Sequence, residues 1–514
     1  MLIRLSRWSI RASLAAALAL TPFEMNMNQS MASSTRPACP SPTQISATVQ
    51  LLFYDRNGNE IPAATAQNIM MGSDTAYKGT KIGWANDALV DPVTLCDLET
   101  HPLVTDGTGH LAFTLLSQPV AFEVNWPTTR GYSMTILDNG GAGFSAGGTV
   151  NFTYQAALDW KTKLDTALAA RPDYVRSVAF DNAYNAAVAD INTANGSSSQ
   201  SVKGQYGQLA MDQLATAFDL MLYEYGTFYA HGHLGTQTPW LGVTMDTIAN
   251  YQSNLELARK LTSPYGYVRI VMDPGTAFSN YAPVVDYAHS IGLKVMGQPI
   301  DSSYAKRFGG SKYLARIQSA VRALPTVDAW EVGNEVNGSW LGSDMGGRLD
   351  QAAAWVKANS TAKVVITFYW QIGTDAPQWS LFNWEKANLT DATVSNTDIF
   401  LVSAWIEDAP MGYAFDQVMR TLHNEFPAKQ IGLGEFGYWG QGTSQRWWYG
   451  DNTGVTAGRE AVADQYYRAA LGYSYSLGGV FWWYYAEDMP ADSLLGCKVS
   501  AARDAITGTP TPCP

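Results

Sequence analysis

Eight short apolar runs, each followed by a stretch with helical spacing, fill the second half of this 514-residue chain. They are Leu241–Met245, Tyr267–Met272, Leu293–Gly297, Ala329–Gly333, Lys363–Phe368, Ile399–Ala404, Gln430–Gly434 and Gly479–Trp483. Helical spacing is plainest over Ile248–Leu261, Tyr313–Leu324 and Ala461–Leu477. Parallel strands need a long crossover, most simply a helix, and eight such units are the number that closes a parallel barrel. The pattern predicts an α/β fold, a (β/α)8 barrel over residues 238–514. A doubly wound open sheet would alternate in the same way, but nothing in it calls for glutamates on the fourth and seventh units.

Four segments precede the barrel. In residues 1–32, Arg4, Arg7 and Arg11 stand before an apolar run, Ala12 to Leu20, that is too short for a stable membrane anchor. This predicts a signal peptide and a secreted or periplasmic protein. The cleavage point is open between Ala17-Leu18-Ala19 and Ser30-Met31-Ala32. Residues 33–44, rich in Ser, Thr and Pro, read as a linker. Residues 45–155 alternate apolar and polar side chains between Asn57-Gly58, Asp106-Gly107 and Asn139-Gly140 turns, which predicts a β-sandwich of immunoglobulin-like type. Such a module either binds carbohydrate or serves as a packing partner. Residues 156–237 turn to helical periodicity (Leu158, Leu164, Leu168, then Leu209, Leu214, Phe218, Leu222) and read as a helical connector.

Composition narrows the partners. At 46% hydrophobic and 15% charged the chain is globular, and 33 basic against 45 acidic residues give a net charge of −12. No basic excess exists to neutralise phosphates, so neither nucleic acid nor a membrane surface is expected, and a monomer is. Four cysteines in an exported chain point to disulfides, and proximity favours Cys39–Cys96 with Cys497–Cys513 among three connectivities. Asp55, Asn57 and Asn59 alternate as in a calcium loop, but no glutamate closes it. No metal or cofactor is expected. The 17 Trp and 27 Tyr supply flat faces that stack on sugar rings, or core area.

Two segments carry chemistry: Trp330-Glu331-Val332-Gly333-Asn334-Glu335-Val336-Asn337 and Ile431-Gly432-Leu433-Gly434-Glu435-Phe436-Gly437. Each reads as a brief apolar strand ending on a glutamate. Glycoside hydrolysis needs such a pair, one carboxyl protonated to release the leaving oxygen and one charged to attack the anomeric carbon. Val-Gly-Asn-Glu, with Gly-Glu-Phe-Gly on the seventh unit, resembles the clan A glycoside hydrolases, retaining enzymes on (β/α)8 barrels. The resemblance covers the barrel only and implies Glu335 as acid/base, Glu435 as nucleophile and Asn334 as donor to the sugar 2-hydroxyl. Arg269, within Val268-Arg269-Ile270, resembles the clan arginine that keeps the nucleophile charged, an ordinary salt bridge being the competing account. Trp482-Trp483 resembles the aromatic platform under the bound sugar, and strand alternation turns only one inward, Trp483 by its place at the strand end.

Two departures stand out. Ser403-Ala404-Trp405 occupies the sixth strand, where many members have a tyrosine that bonds the nucleophile, and Trp405 is a further candidate sugar contact. Gly297-Gln298-Pro299 stands where family 5 enzymes carry a histidine. Asp246, Asp301, Glu407, Asp408, Glu487 and Asp488 also follow strand ends, as sugar contacts or as helix caps and solvated charges. Arg446-Trp447-Trp448-Tyr449 is either an aromatic subsite or a loop-anchoring mini-core. Asn337-Gly338-Ser339 is formally a glycosylation sequon, expected to stay unmodified because a glycan there would obstruct Glu335. The expectation is a retaining endo-β-glycanase acting on a polysaccharide or oligosaccharide, the alternatives being an exo-acting glycosidase or a noncatalytic carbohydrate-binding barrel.

Overall fold

The computed structural model describes residues 36–70, 87–374, 376–406, 409–438 and 455–510. The expected signal peptide, Glu407, Asp408, the Arg446–Tyr449 stretch and Cys513 lie outside the described residues.

The first part holds nine strands: β1 (Gln44–Tyr54), β2 (Glu60–Ile61), β3 (Asp87–Val90), β4 (Asp97–Thr100), β5 (Val104–Thr105), β6 (Leu111–Leu116), β7 (Ala121–Thr128), β8 (Gly131–Leu137) and β9 (Thr149–Asn151). They form two sheets, β2-β1-β6-β5 with β9 beside β1, and β4-β3-β7-β8. Pairing is antiparallel except for β9, which runs parallel to β1. Alternation buries Val49, Leu51 and Phe53 of β1. The sheets meet through aromatic rings, Phe53 with Trp126 at 5.1 Å and Phe113 with Phe122 at 5.5 Å between centroids. One helix in this part was not expected, α1 (Ala63–Met70). Its first turn is alanine-rich, and the Pro62 carbonyl accepts the N–H groups of Thr65 and Ala66.

Three long helices follow: α2 (Phe152–Ala169), α3 (Val178–Asn195) and α4 (Gln200–Ala230). Side chains of Asn151, Ser177 and Ser199 accept the N–H groups of Tyr154, Phe180 and Val202, so each start is capped. The first helix begins before Ala156 because Phe152 already belongs to the sheet core, 4.7 Å from the Phe53 ring. Sheets and helices therefore share one apolar interior.

The remaining strands are β10 (Trp240–Met245), β11 (Gly266–Val271), β12 (Lys294–Gln298), β13 (Ala329–Gly333), β14 (Lys363–Tyr369), β15 (Ile399–Trp405), β16 (Gln430–Gly437) and β17 (Ser476–Trp482). They pair in chain order, all parallel, and β17 closes on β10. Inward side chains fill the barrel with a core of its own, including Trp240, Tyr267, Met296, Val365, Leu401 and Phe481. The outer helix that precedes β17 departs from expectation. It ends at Ala469 rather than Leu477: the Leu471 and Gly472 N–H groups turn back to the carbonyls of Arg468 and Ala469, and β17 already begins at Ser476.

A polar seam ties the second sheet to the barrel. Asp97 exchanges hydrogen bonds with Asn383, its N–H to Oδ1 and its carbonyl from Nδ2, both 2.7 Å. Its carboxylate Oδ2 accepts from Ser380 Oγ at 2.8 Å and the Gly373 N–H at 3.3 Å. Tyr413 accepts the Ile136 N–H at 2.8 Å, and Arg171 pairs with Asp416 at 2.6 Å. Arg36 reaches Glu385, and Cys39 is disulfide-bonded to Cys96. Among the described residues no helix is long and apolar enough to cross a membrane, and no group of His, Cys, Asp and Glu could hold a metal ion. Asp55 instead closes its own turn, accepting the N–H groups of Asn57 and Asn59.

Candidate active site

Side-chain alternation decides what faces the barrel axis. On β11 the parity that sends Tyr267 into the barrel core also sends Arg269 inward, and on β13 the parity of Ala329 does the same for Glu331. These two residues meet, Arg269 Nε to Glu331 Oε2 at 2.8 Å and Nη2 to Oε1 at 3.3 Å, a two-pronged pair with no solvent exposure. Thr367 of β14 donates its hydroxyl to Glu331 Oε1. The third guanidinium nitrogen, Nη1, reaches Glu435 Oε2 at 3.2 Å. Burial opposes the charge on Arg269, but Glu331 and Glu435 outweigh it and hold the group above its ordinary pKa. So one cation is shared between two carboxylates, and its proximity favours the ionised form of Glu435.

Glu435 lies within β16 rather than just beyond it, because the strand continues to Gly437. Its pairing with β15 slips between Val402–Leu433 and Ala404–Phe436, an extra residue that marks a β-bulge. Gly434 and Glu435 consequently both approach the axis: a Cβ on Gly434 would lie 2.6 Å from Thr367 Cγ2, so glycine is required beside the glutamate.

Beyond β13 the chain turns sharply. Glu335 takes φ +48°, a left-handed conformation that non-glycine residues adopt only when their surroundings fix it. The Val336 N–H bonds to the Thr367 carbonyl at 3.1 Å, and the Gly338 N–H returns to the Glu335 carbonyl at 2.9 Å. Asn337 is fully buried. It accepts the Tyr369 N–H at 2.7 Å and donates to the carbonyls of Tyr369 and Trp379, both 2.9 Å. The sequon asparagine is thus a loop anchor with no free amide. The Glu335 carboxylate accepts from Ser302 Oγ at 2.7 Å and Ser403 Oγ at 2.9 Å. Asn334 accepts the Ser302 N–H at 2.8 Å, and its Nδ2 stands 3.5 Å from Glu435 Oε2, bridging the two glutamate settings.

Aromatic side chains wall the same mouth. Tyr369 and Trp405, at the ends of β14 and β15, pack with Trp340, Trp483 and Tyr484. Trp483 lies against the Arg269 guanidinium, 5.4 Å from ring centroid to Cζ. Trp482 is not part of this wall: it is buried in the main core and donates Nε1–H to Asp488 at 3.1 Å, because alternation turns it outward. Asp488 also pairs with Arg459 at 2.8 Å, and Asp301 caps a 3-10 segment by accepting the Ser303 N–H. Gln298, facing inward from β12, is fully buried and neither amide atom has a hydrogen-bond partner among the described residues.

Glu331, Thr367, Ser302 and Ser403 were not singled out by sequence. Glu331 carried a signal equal to that of Arg269, a charge between buried Trp330 and Val332 in a five-residue strand. The hydroxyls carried none.

No family model matches the chain, and no curated protein does. Solved structures similar to it include the endo-beta-1,4-mannanase from Thermotoga petrophila, at 15% identity over 54% of this chain and 79% of that one, with a TM-score of 0.37. A GH113 beta-1,4-mannanase is similar at 15% identity over 52% and 98%, TM-score 0.37. The family 1 b-glucosidase from Thermotoga maritima is similar at 11% over 46% and 76%, TM-score 0.32. At such identities and scores the similarity assigns no residue role.

Proposed function

We propose that this protein is a glycoside hydrolase that cleaves with retention, using Glu435 as nucleophile and Glu335 as acid/base. The observation that carries the proposal is the unequal setting of two buried glutamates at one barrel mouth. Glu435 lies beside a guanidinium and is kept charged for attack, while neutral hydroxyls hold Glu335. In the first step Glu335 gives its proton to the glycosidic oxygen as Glu435 bonds to the anomeric carbon and the leaving group departs. In the second, Glu335 takes a proton from water, whose oxygen displaces Glu435. Asn334 is suited to donate to the sugar 2-hydroxyl in both transition states, and Trp483 and Trp405 to stack on sugar faces.

We assign the chain to clan A on its Asn334-Glu335 and Glu435 placement, with endo action on a β-linked polysaccharide as the substrate reading. The aromatic wall supports a sugar polymer. The leader-like N-terminus and the Cys39–Cys96 bond support export. We read the two-sheet body over 45–155 as an immunoglobulin-like sandwich whose role is packing, which its polar seam with the barrel supports.

Glu335→Gln and Glu435→Gln tested on a polysaccharide panel decide the matter. Each is expected to lower turnover by several orders of magnitude with the fold intact, azide giving an inverted glycosyl azide with the Glu435 variant and a retained one with the Glu335 variant. Near-normal turnover in either variant overturns the assignment. A product that first appears with the opposite anomeric configuration overturns retention.

A further inference from the structure

Glu335 must alternate between a protonated acid and a charged base, and its surroundings have to tolerate both states. A fixed cation such as Arg269 does this poorly, since a guanidinium only donates and strongly favours the charged form. A serine hydroxyl rotates and can donate or accept. Ser302 and Ser403 are both buried, and they address different oxygens of the same carboxylate, Oε2 at 2.7 Å and Oε1 at 2.9 Å. They come from opposite sides of β13, one from the loop after β12 and the other from β15. Two donors on two oxygens fix the carboxyl plane, which a single donor would leave free to swing. Ser302 does more: its main-chain N–H holds Asn334 Oδ1 at 2.8 Å, so one residue sets both members of the Asn-Glu pair. Asp301 in turn fixes the start of that loop, accepting the Ser303 N–H at 2.9 Å.

We propose that Ser302 and Ser403 are positioning residues, a clamp that aims the Glu335 carboxyl at the leaving-group oxygen through both halves of the reaction. When Glu335 carries its proton on one oxygen, the serine at that oxygen turns to accept while the other still donates. After transfer both donate, so neither state strands a buried group. The proposal rests on the glycosidase reading above, and it makes the sixth-strand serine a partner of the acid/base.

The test is a leaving-group series on the full-length protein: aryl glycosides of one sugar, from dinitrophenyl, which leaves without proton assistance, to methoxyphenyl, which needs it. General acid assistance contributes about 10²–10⁴-fold, and misplacing a catalytic group by an ångström costs about 10²-fold. Ser302→Ala and Ser403→Ala should each lose about 10–100-fold more kcat/KM on methoxyphenyl than on dinitrophenyl substrates. Ser403→Thr should recover most of that difference, because it restores the hydroxyl. Cysteine at either position keeps the volume with a weaker donor and provides the same reading should an alanine variant fail to fold. Equal losses across the series, or none, overturn the clamp. Glu335→Ala run beside them separates the two levels: if it too loses activity evenly, the acid/base assignment fails, whereas a steep series for Glu335→Ala with flat serine variants refutes the clamp alone.

Discussion

Asp97 makes the stability of the sheet–barrel seam fall as pH rises. Burial pushes its carboxyl up from 3.8 to about 6, against the opposing hydrogen bonds from Ser380, Thr100 and Gly373. Because the folded value lies above the unfolded one, the contribution is full below about pH 4, declines as pH climbs and levels off above about 6. A displacement of this size corresponds to about 3 kcal/mol. Glu123, buried on β7 across β3 from it and raised well above 4.5 by burial and by Asp87 and Asp97, extends the decline to higher pH. The perturbation is Asp97→Asn, which retains an acceptor for Ser380 and Gly373. It places an amide at the Oδ1 position, where no donor is found among the described residues. Urea unfolding of both proteins at steps from pH 4 to 7 gives the comparison, with midpoints converted through the slope. The wild type should lose about 3 kcal/mol more than the variant across that range. Parallel curves would refute the argument, since Asp97 would then be ionised in the folded protein without cost.

Two further outcomes follow from the site. Glu331→Gln leaves Arg269 without its buried two-pronged partner, so stability should drop by about 3–5 kcal/mol in chemical denaturation, with turnover falling as the guanidinium is drawn toward Glu435. Unchanged stability would show that Thr367 and Glu435 suffice to hold Arg269. Gln298→Met removes a buried amide that has no partner among the described residues, and should raise unfolding free energy by about 1–2 kcal/mol in the same assay. A loss there would mean the amide is satisfied in solution.

Much of the barrel was legible because its strands are buried on both sides and read as apolar runs bounded by turns, and the one at Ala329–Gly333 has the bounds expected of it. The limits failed where local pattern ran on past a backbone event: helical spacing continued to Leu477, past the turn at Leu471 and Gly472 and into β17, and Glu435 looked terminal although a bulge carries its strand to Gly437. At the site, charged side chains in apolar strands announce themselves, as Arg269 did and Glu331 should have. Serines do not. Ser302 matters through a main-chain N–H and a hydroxyl whose partner lies 33 residues away, and no local pattern encodes that. Trp482 and Trp483 show the middle case, in which alternation separates two identical neighbours once the strand end is known.

The seam also dictates an order of assembly. Asp97 waits for Asn383, 286 residues downstream, and Arg36 for Glu385, 349 downstream. A ribosome delivers the sheets long before their docking surface exists. For that interval the face carrying Asp97, Glu123 and Asn125 is open, three polar groups set among the apolar Ala88, Val90, Met134 and Ile136. A wholly apolar face of the same extent would recruit other nascent chains more readily, so the carboxylates that the finished protein must bury also make the half-made one less adhesive.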